Sequence, residues 1–145
     1  MLKFFSPAFY DGEKMPSVHT CDGININPPL QISGVDSKAK SMILAVDDPD
    51  APAGTWTHWV VFNIPPDVSY VAEGQNPPGV IGVNSWGETR YNGPCPPFGQ
   101  HRYFFKLYVL DCLLDLSEGA SKHEVEKAMI GHVVDRSEFI GIYGR

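Results

Sequence analysis

The chain has 145 residues, of which 43% are hydrophobic and 19% charged, and a net charge of −6. That length makes a single domain able to bury about two-thirds of the surface its unfolded chain exposes, and the composition excludes a disordered polypeptide. The acidic balance, with no basic cluster, argues against a nucleic-acid partner and against purely electrostatic attachment to anionic membranes.

The opening MLKFFSPAFYDG lacks the apolar core of a signal peptide. No later run approaches the roughly eighteen apolar residues of a membrane helix, so no stable membrane insertion is expected. Thirteen prolines and fourteen glycines punctuate the apolar runs, as in a β-rich domain with many turns. Cys21, Cys95 and Cys112 are odd in number and lack C-x-x-C spacing, the pattern of thiols that stay reduced. The expectation is a soluble, cytoplasmic protein, with a homodimer left open.

In chain order, strands are predicted over Leu30–Ile32, Ser41–Asp47, His58–Ile64, Val80–Val83, Arg102–Asp111 and Phe139–Tyr143. Arg102–Asp111 (RYFFKLYVLD) is apolar on both alternating faces, which predicts a central strand covered on both sides. One helix follows a capping box at Ser121-Lys122-His123-Glu124, with Val125, Met129 and Val133 (or His132) on one face and Gly131 weakening or ending it. Together these elements predict a mainly antiparallel, sandwich-like β domain with one or two peripheral helices.

Chemistry concentrates in Asp47–Trp59, DDPDAPAGTWTHW, which joins two strong strands, and in Asn92–His101, NGPCPPFGQH, which leads into a third. If those strands are neighbours, both loops meet at one rim. The loaded set is Asp48, Asp50, His58 and His101, joined by Tyr103, which alternation puts on the same strand face as His101 and opposite Arg102. Asp48 and Asp50 could simply cap turns around Pro49 and Pro52. Two carboxylates and two imidazoles could equally ligate a divalent metal and serve a hydrolase. Alternatively, imidazoles, a tyrosine hydroxyl and backbone N–H groups could hold an anion, with an Asp orienting a histidine. Spacing leaves these readings open.

Three catalytic patterns are missing. His123-Glu124 is followed by Lys127 where a metalloprotease helix needs its second histidine, and Ser85 lacks the G-x-S-x-G elbow. No glycine loop of a standard phosphate-cradling type occurs. Cys95 reads as a packed thiol between two prolines.

The order DPDAP, Trp-x-His, GP-x-PP-x-G and HRY-x-F-x-LY, with SPAF-x-x-G and CDG-x-N-x-x-PPL before them and FIGIYGR after, resembles the phosphatidylethanolamine-binding proteins, also called the Raf kinase inhibitor protein family, in their bacterial and archaeal branch. The resemblance implies antiparallel Greek-key sheets with few helices and a small anion-binding pocket at one rim. By motif position, its ligand-binding residues are Asp48, Asp50, Trp56, His58, Gly93, Pro94, His101 and Tyr103. Thr57 stands where mammalian members carry a further histidine. The implied function is non-enzymatic binding of a small anion or phosphorylated ligand, without catalytic residues, cofactor or metal. Regulation of a kinase or protease partner goes with it. The proline-stiffened Gly93–Gly99 could present an extended segment as a serine protease inhibitor. On either reading Asp48, His58, His101 and Tyr103 should converge in space.

Overall fold

The computed structural model describes residues 1–145. In chain order the elements are β1 (Lys3–Phe5), β2 (Glu13–Lys14), a 3₁₀ turn at Ser17–His19, β3 (Leu30–Ser33), β4 (Ser41–Asp48), β5 (Trp56–Ile64), β6 (Tyr70–Val71), β7 (Val80–Ile81), β8 (Gln100–Leu110), α1 (Lys122–Met129) and β9 (Val133–Gly144). They form two sheets, one ordered β1-β3-β6 and the other β2-β9-β8-β4-β5-β7. All pairings are antiparallel except β2 with β9. This is the predicted mainly β architecture.

Alternation along the long strands sorts side chains into two cores. Met42, Leu44, Val46, Val61, Tyr103, Phe105, Leu107 and Phe139 point toward the small sheet and pack with Phe4, Leu30, Ile32 and Val71. Phe105 stacks on Phe139 with ring centroids 4.8 Å apart. The opposite face contributes Ile43, Val60, Phe62 and Leu110, which are covered by Leu114, Ala120 and Val125 of the excursion between β8 and β9. The capping box at Ser121 forms as expected: the Glu124 N–H donates to Ser121 Oγ, and the Ser121 N–H to Glu124 Oε1. The helix is shorter than its apolar spacing suggests. Gly131, at φ 81°, turns the chain out of it, and Val133 opens β9 instead of continuing the helix face.

Two expectations change. Arg102–Asp111 was to be the strand covered on both sides, but only one face of β8 is fully buried. Phe104, Lys106 and Tyr108 on the other are half-exposed, because the excursion covers chiefly β4 and β5. The strand buried at all eight positions is β4. The cysteines were expected to be reduced, with Cys95 a packed thiol, yet Cys21 and Cys95 form a disulfide across a sequence separation of 74. Only Cys112 is free. The cause is loop packing: the Cys21 N–H donates to the Pro94 carbonyl at 3.0 Å, which brings the two segments together. The pairing removes the cysteine pattern from the grounds for the cytoplasmic expectation. No helix is long and apolar enough to cross a membrane.

Three measurements test this description. Phe105→Ala, at a fully buried ring, should cost about 3–5 kcal/mol in chemical denaturation. Phe98→Ala, at a ring 71% exposed, should shift stability by less than about 0.5 kcal/mol. Reducing the Cys21–Cys95 bond should lower unfolding free energy by about 2–4 kcal/mol, because so long a cross-linked loop strongly restricts the unfolded chain. Denaturation with and without a phosphine reductant reads this directly.

Candidate functional site

Strand β4 pairs antiparallel with β5 on one edge and with β8 on the other. The C-terminal end of β4 therefore meets the N-terminal ends of both neighbours. Asp48 lies opposite Trp56, and Asp47 lies opposite Phe104. The end of β4 and the starts of β5 and β8 share one rim.

A β-bulge decides what faces that rim. Val46 pairs with Trp59 but Asp47 pairs with Thr57, so His58 is one residue too many on β5. An extra residue reverses alternation beyond it. Trp59 points into the core between the sheets, and without the bulge His58 would point away from it. With the bulge, His58 lies on the same face, its ring 5.2 Å from that of Tyr103. Thr57 is turned to the opposite face, where its hydroxyl donates to Asp47.

The resulting cavity of about 330 Å³ is lined by Asp48, Trp56, His58, His101 and Tyr103, together with Ala51, Pro52, Ala53, Trp86, Cys95, Pro96 and Pro97. Both histidines are anchored through Nδ1. His58 Nδ1 lies 2.6 Å from the Asn92 carbonyl, so it carries the proton and donates. Burial pushes the His58 imidazole below its usual value, with neighbouring carbonyls and carboxylates only partly opposing it. His101 Nδ1 lies 2.7 Å from Asp48 Oδ2. Neither Nε2 has a protein partner, and neither does the Tyr103 hydroxyl. No occluded side-chain nitrogen or oxygen is left unpaired, so all three atoms reach open space. Burial, then the charges of Asp48 and Asp50, push the Tyr103 phenol upward, which keeps it a donor.

Asp48 performs two tasks at once. Its Oδ1 accepts from the Asp50 N–H at 2.8 Å, closing the turn around Pro49, while Oδ2 holds His101. The turn-capping and histidine-orienting readings are therefore both realised in one carboxylate. Asp50 is turned out of the cavity. It accepts from the Arg102 backbone N–H and from Nε and Nη2 of the same residue at 2.8–2.9 Å. The guanidinium holds its carboxyl down to about 2. Asp48, Asp50, His58 and His101 thus do not gather as one ligand set. Gly93 and Pro94 also lie outside the lining. A Cβ on Gly93 would sit 2.0 Å from the His19 carbonyl, and the Gly93 N–H donates to Asn25 Oδ1. They seat the loop that carries Cys95, Pro96 and Pro97 to the cavity wall.

Among the lining residues outside the predicted set, Trp86 is the large aromatic one. Its ring stands edge-on to Trp56 at 5.5 Å and to His58 at 4.9 Å. Asn84 builds its loop: Oδ1 accepts from the N–H groups of Trp86 and Glu88, and Nδ2 donates to the Arg90 carbonyl. A lone Trp amid Asn, Ser, Gly and Glu (NSWGE) was the available signal. Asp47 was also missed. It is 1% exposed on the face away from the cavity, bound to Thr57, Lys106 and Lys122.

Comparison with known proteins finds relatives that match almost the whole chain. The chain is 54% identical over 144 residues to a UPF0098 protein of Methanothermobacter thermautotrophicus, covering 95% of each. It is 43% identical over 147 residues to a UPF0098 protein of Chlamydia muridarum, covering 98% of each. A crystal structure of a putative phosphatidylethanolamine-binding protein homologue from Chlamydia trachomatis superposes with TM-score 0.96 at 42% identity, covering 99% of this chain and 97% of that one. Escherichia coli YbcL, described as a member of the mammalian family of these proteins, superposes with TM-score 0.92 at 30% identity, covering 99% and 98%. The sequence profile of the phosphatidylethanolamine-binding protein family matches residues 5–144, and the chain belongs to that family.

Proposed function

We propose that the protein is a non-enzymatic binder of a small anion or phosphorylated ligand, seated at Asp48, Trp56, His58, His101 and Tyr103. The observation that carries this reading is the convergence of three polar atoms without protein partners, His58 Nε2, His101 Nε2 and the Tyr103 hydroxyl, in one aromatic-walled cavity. A few fixed polar groups in a mostly apolar pocket suit a small ligand that needs orienting. Nothing in the lining resembles an activated nucleophile. Asp50, Gly93 and Pro94 support the site from outside by fixing its two loops.

The lining contains no Lys or Arg and does contain Asp48, so positive charge must come from protonated imidazole. Neutral His58 presents a lone pair at Nε2, which repels an anion. Its protonated form presents an N–H. Because burial holds the His58 pKa below about 6.5, anion binding must draw in a proton near neutrality. Affinity should therefore rise as pH falls from 7.5 to about 5.5. Acetate is the cleanest probe, since its own carboxylate stays ionised over that range.

Calorimetry and histidine NMR with acetate, phosphate and phosphoethanolamine test the proposal. His58→Ala should weaken binding at least about tenfold and flatten the pH profile, with a stability loss of about 1–2 kcal/mol. Asp48→Ala should also weaken binding, through misorientation of His101. Silence of both His58 and His101 resonances toward all three ligands would remove this reading.

A protein partner, kinase or protease, would meet the same rim. One feature favours presentation of the Gly93–Gly99 loop to a serine protease: it is braced by the disulfide and by Arg145 Nε donating to the Pro96 carbonyl at 2.8 Å, yet exposes Phe98. A loop fixed in advance loses little entropy on docking. Inhibition of at least one member of a serine protease panel, weakened by Phe98→Ala, is the expected result, and none inhibited refutes it.

A further inference from the structure

Asp111, Cys112 and His132 stand at the two ends of the excursion that leaves β8 at Leu110 and returns as β9 at Val133. One ligand atom from each, a carboxylate oxygen, the thiol sulfur and an imidazole nitrogen, lies within 4.8 Å of the other two. Asp111 Oδ1 and His132 Nδ1 are 2.8 Å apart. Around a tetrahedral zinc ion, with metal–ligand bonds of about 2.0–2.3 Å, neighbouring ligand atoms sit roughly 3.3–3.8 Å apart. Only small side-chain adjustments separate the two arrangements.

The backbone beneath these groups is fixed. The Asp111 N–H donates to the His132 carbonyl at 3.0 Å, tying the two ends of the excursion together. The Cys112 carbonyl accepts from Ser41 Oγ at 2.6 Å, and Ser41 itself is fully buried. The side chains of Asp111 and His132 are about half exposed, 47% and 46%, so an ion can reach them from solvent. Cys112 is the one cysteine not used by the disulfide. The cluster is at the Leu110 end of β8, whereas the rim cavity is at its Gln100 end.

We propose that Asp111, Cys112 and His132 form a binding site for a zinc-class divalent transition-metal ion, with water completing the coordination. A thiolate, an imidazole and a carboxylate together select a borderline-soft ion and disfavour magnesium or calcium, which take oxygen ligands only. The ion would cross-link the base of the excursion that carries Leu114, Lys122 and Val125, the residues covering the outer face of β4 and β5 or binding Asp47 there. Such an ion binds the folded chain in preference to the unfolded one and so raises its stability.

The test uses the full-length, tag-free protein stripped of metal with a chelator and titrated with Co²⁺, then Zn²⁺. The expected result is a near-ultraviolet thiolate-to-cobalt band that saturates at one equivalent and is displaced by one equivalent of Zn²⁺, with a higher melting temperature. Cys112→Ser should abolish the band, and His132→Ala, at a half-exposed side chain, should weaken binding by about tenfold or more. His123→Ala should change nothing. Zn²⁺ should also protect Cys112 from alkylation in the unmutated protein, a readout independent of any variant. No thiolate band at one equivalent, or binding unaltered by both Cys112→Ser and His132→Ala, or binding lost in His58→Ala instead, would overturn the assignment.

Discussion

Strand β4 is held on four sides: β5 and β8 hydrogen-bond its two edges, and separate apolar cores press on its two faces. A strand so confined cannot slip by one residue without exchanging its core and outer faces. That constraint fixes the position of its last two residues, Asp47 and Asp48, more firmly than any interaction of their own. The two carboxylates consequently point to opposite sides of one sheet. Asp48 serves the cavity, and Asp47 is balanced by Lys106 and Lys122 on the far face. An acidic pair that looks like surface charge in the sequence is in fact split between two environments by strand geometry. Burying Asp47 costs desolvation, which the two lysines and the Thr57 hydroxyl offset.

The parts of the fold that were legible in the sequence are those with strong periodicity. β4, β5 and β8 were readable because their apolar runs are long, and α1 because Ser121 and Glu124 form a local capping signal. β9 was seen only over its last residues. Its first half pairs with β8 through backbone while Val133, Val134, Arg136 and Glu138 face solvent, so no apolar pattern marks it. β1, β2 and β6 are two or three residues long and owe their existence to partners distant in the chain.

The meeting of Asp48, His58, His101 and Tyr103 followed from strand order. The orientation of His58 did not, because alternation alone sends it away from the cavity and only the bulge brings it back. Nothing local in Trp56-Thr57-His58-Trp59 marks the extra residue. The disulfide was invisible for a similar reason. Its cysteines meet because Gly93 permits the loop to lie against His19, a tertiary approach that no spacing encodes.

Each loop around the cavity is tied down at its own base. The 48–55 loop is held by the Asp48 turn and the Asp50–Arg102 clamp, the 84–92 loop by Asn84, and the 93–99 loop by Gly93 and the disulfide. The last two share one support, Asn25, whose Nδ2 donates to Asn92 Oδ1 and whose Oδ1 accepts from the Gly93 N–H. The cavity's polar side chains stand instead on β4, β5 and β8, where Tyr103 is also part of the core. A change of loop composition would therefore reshape the mouth of the cavity, while its polar floor would move only with the sheet itself.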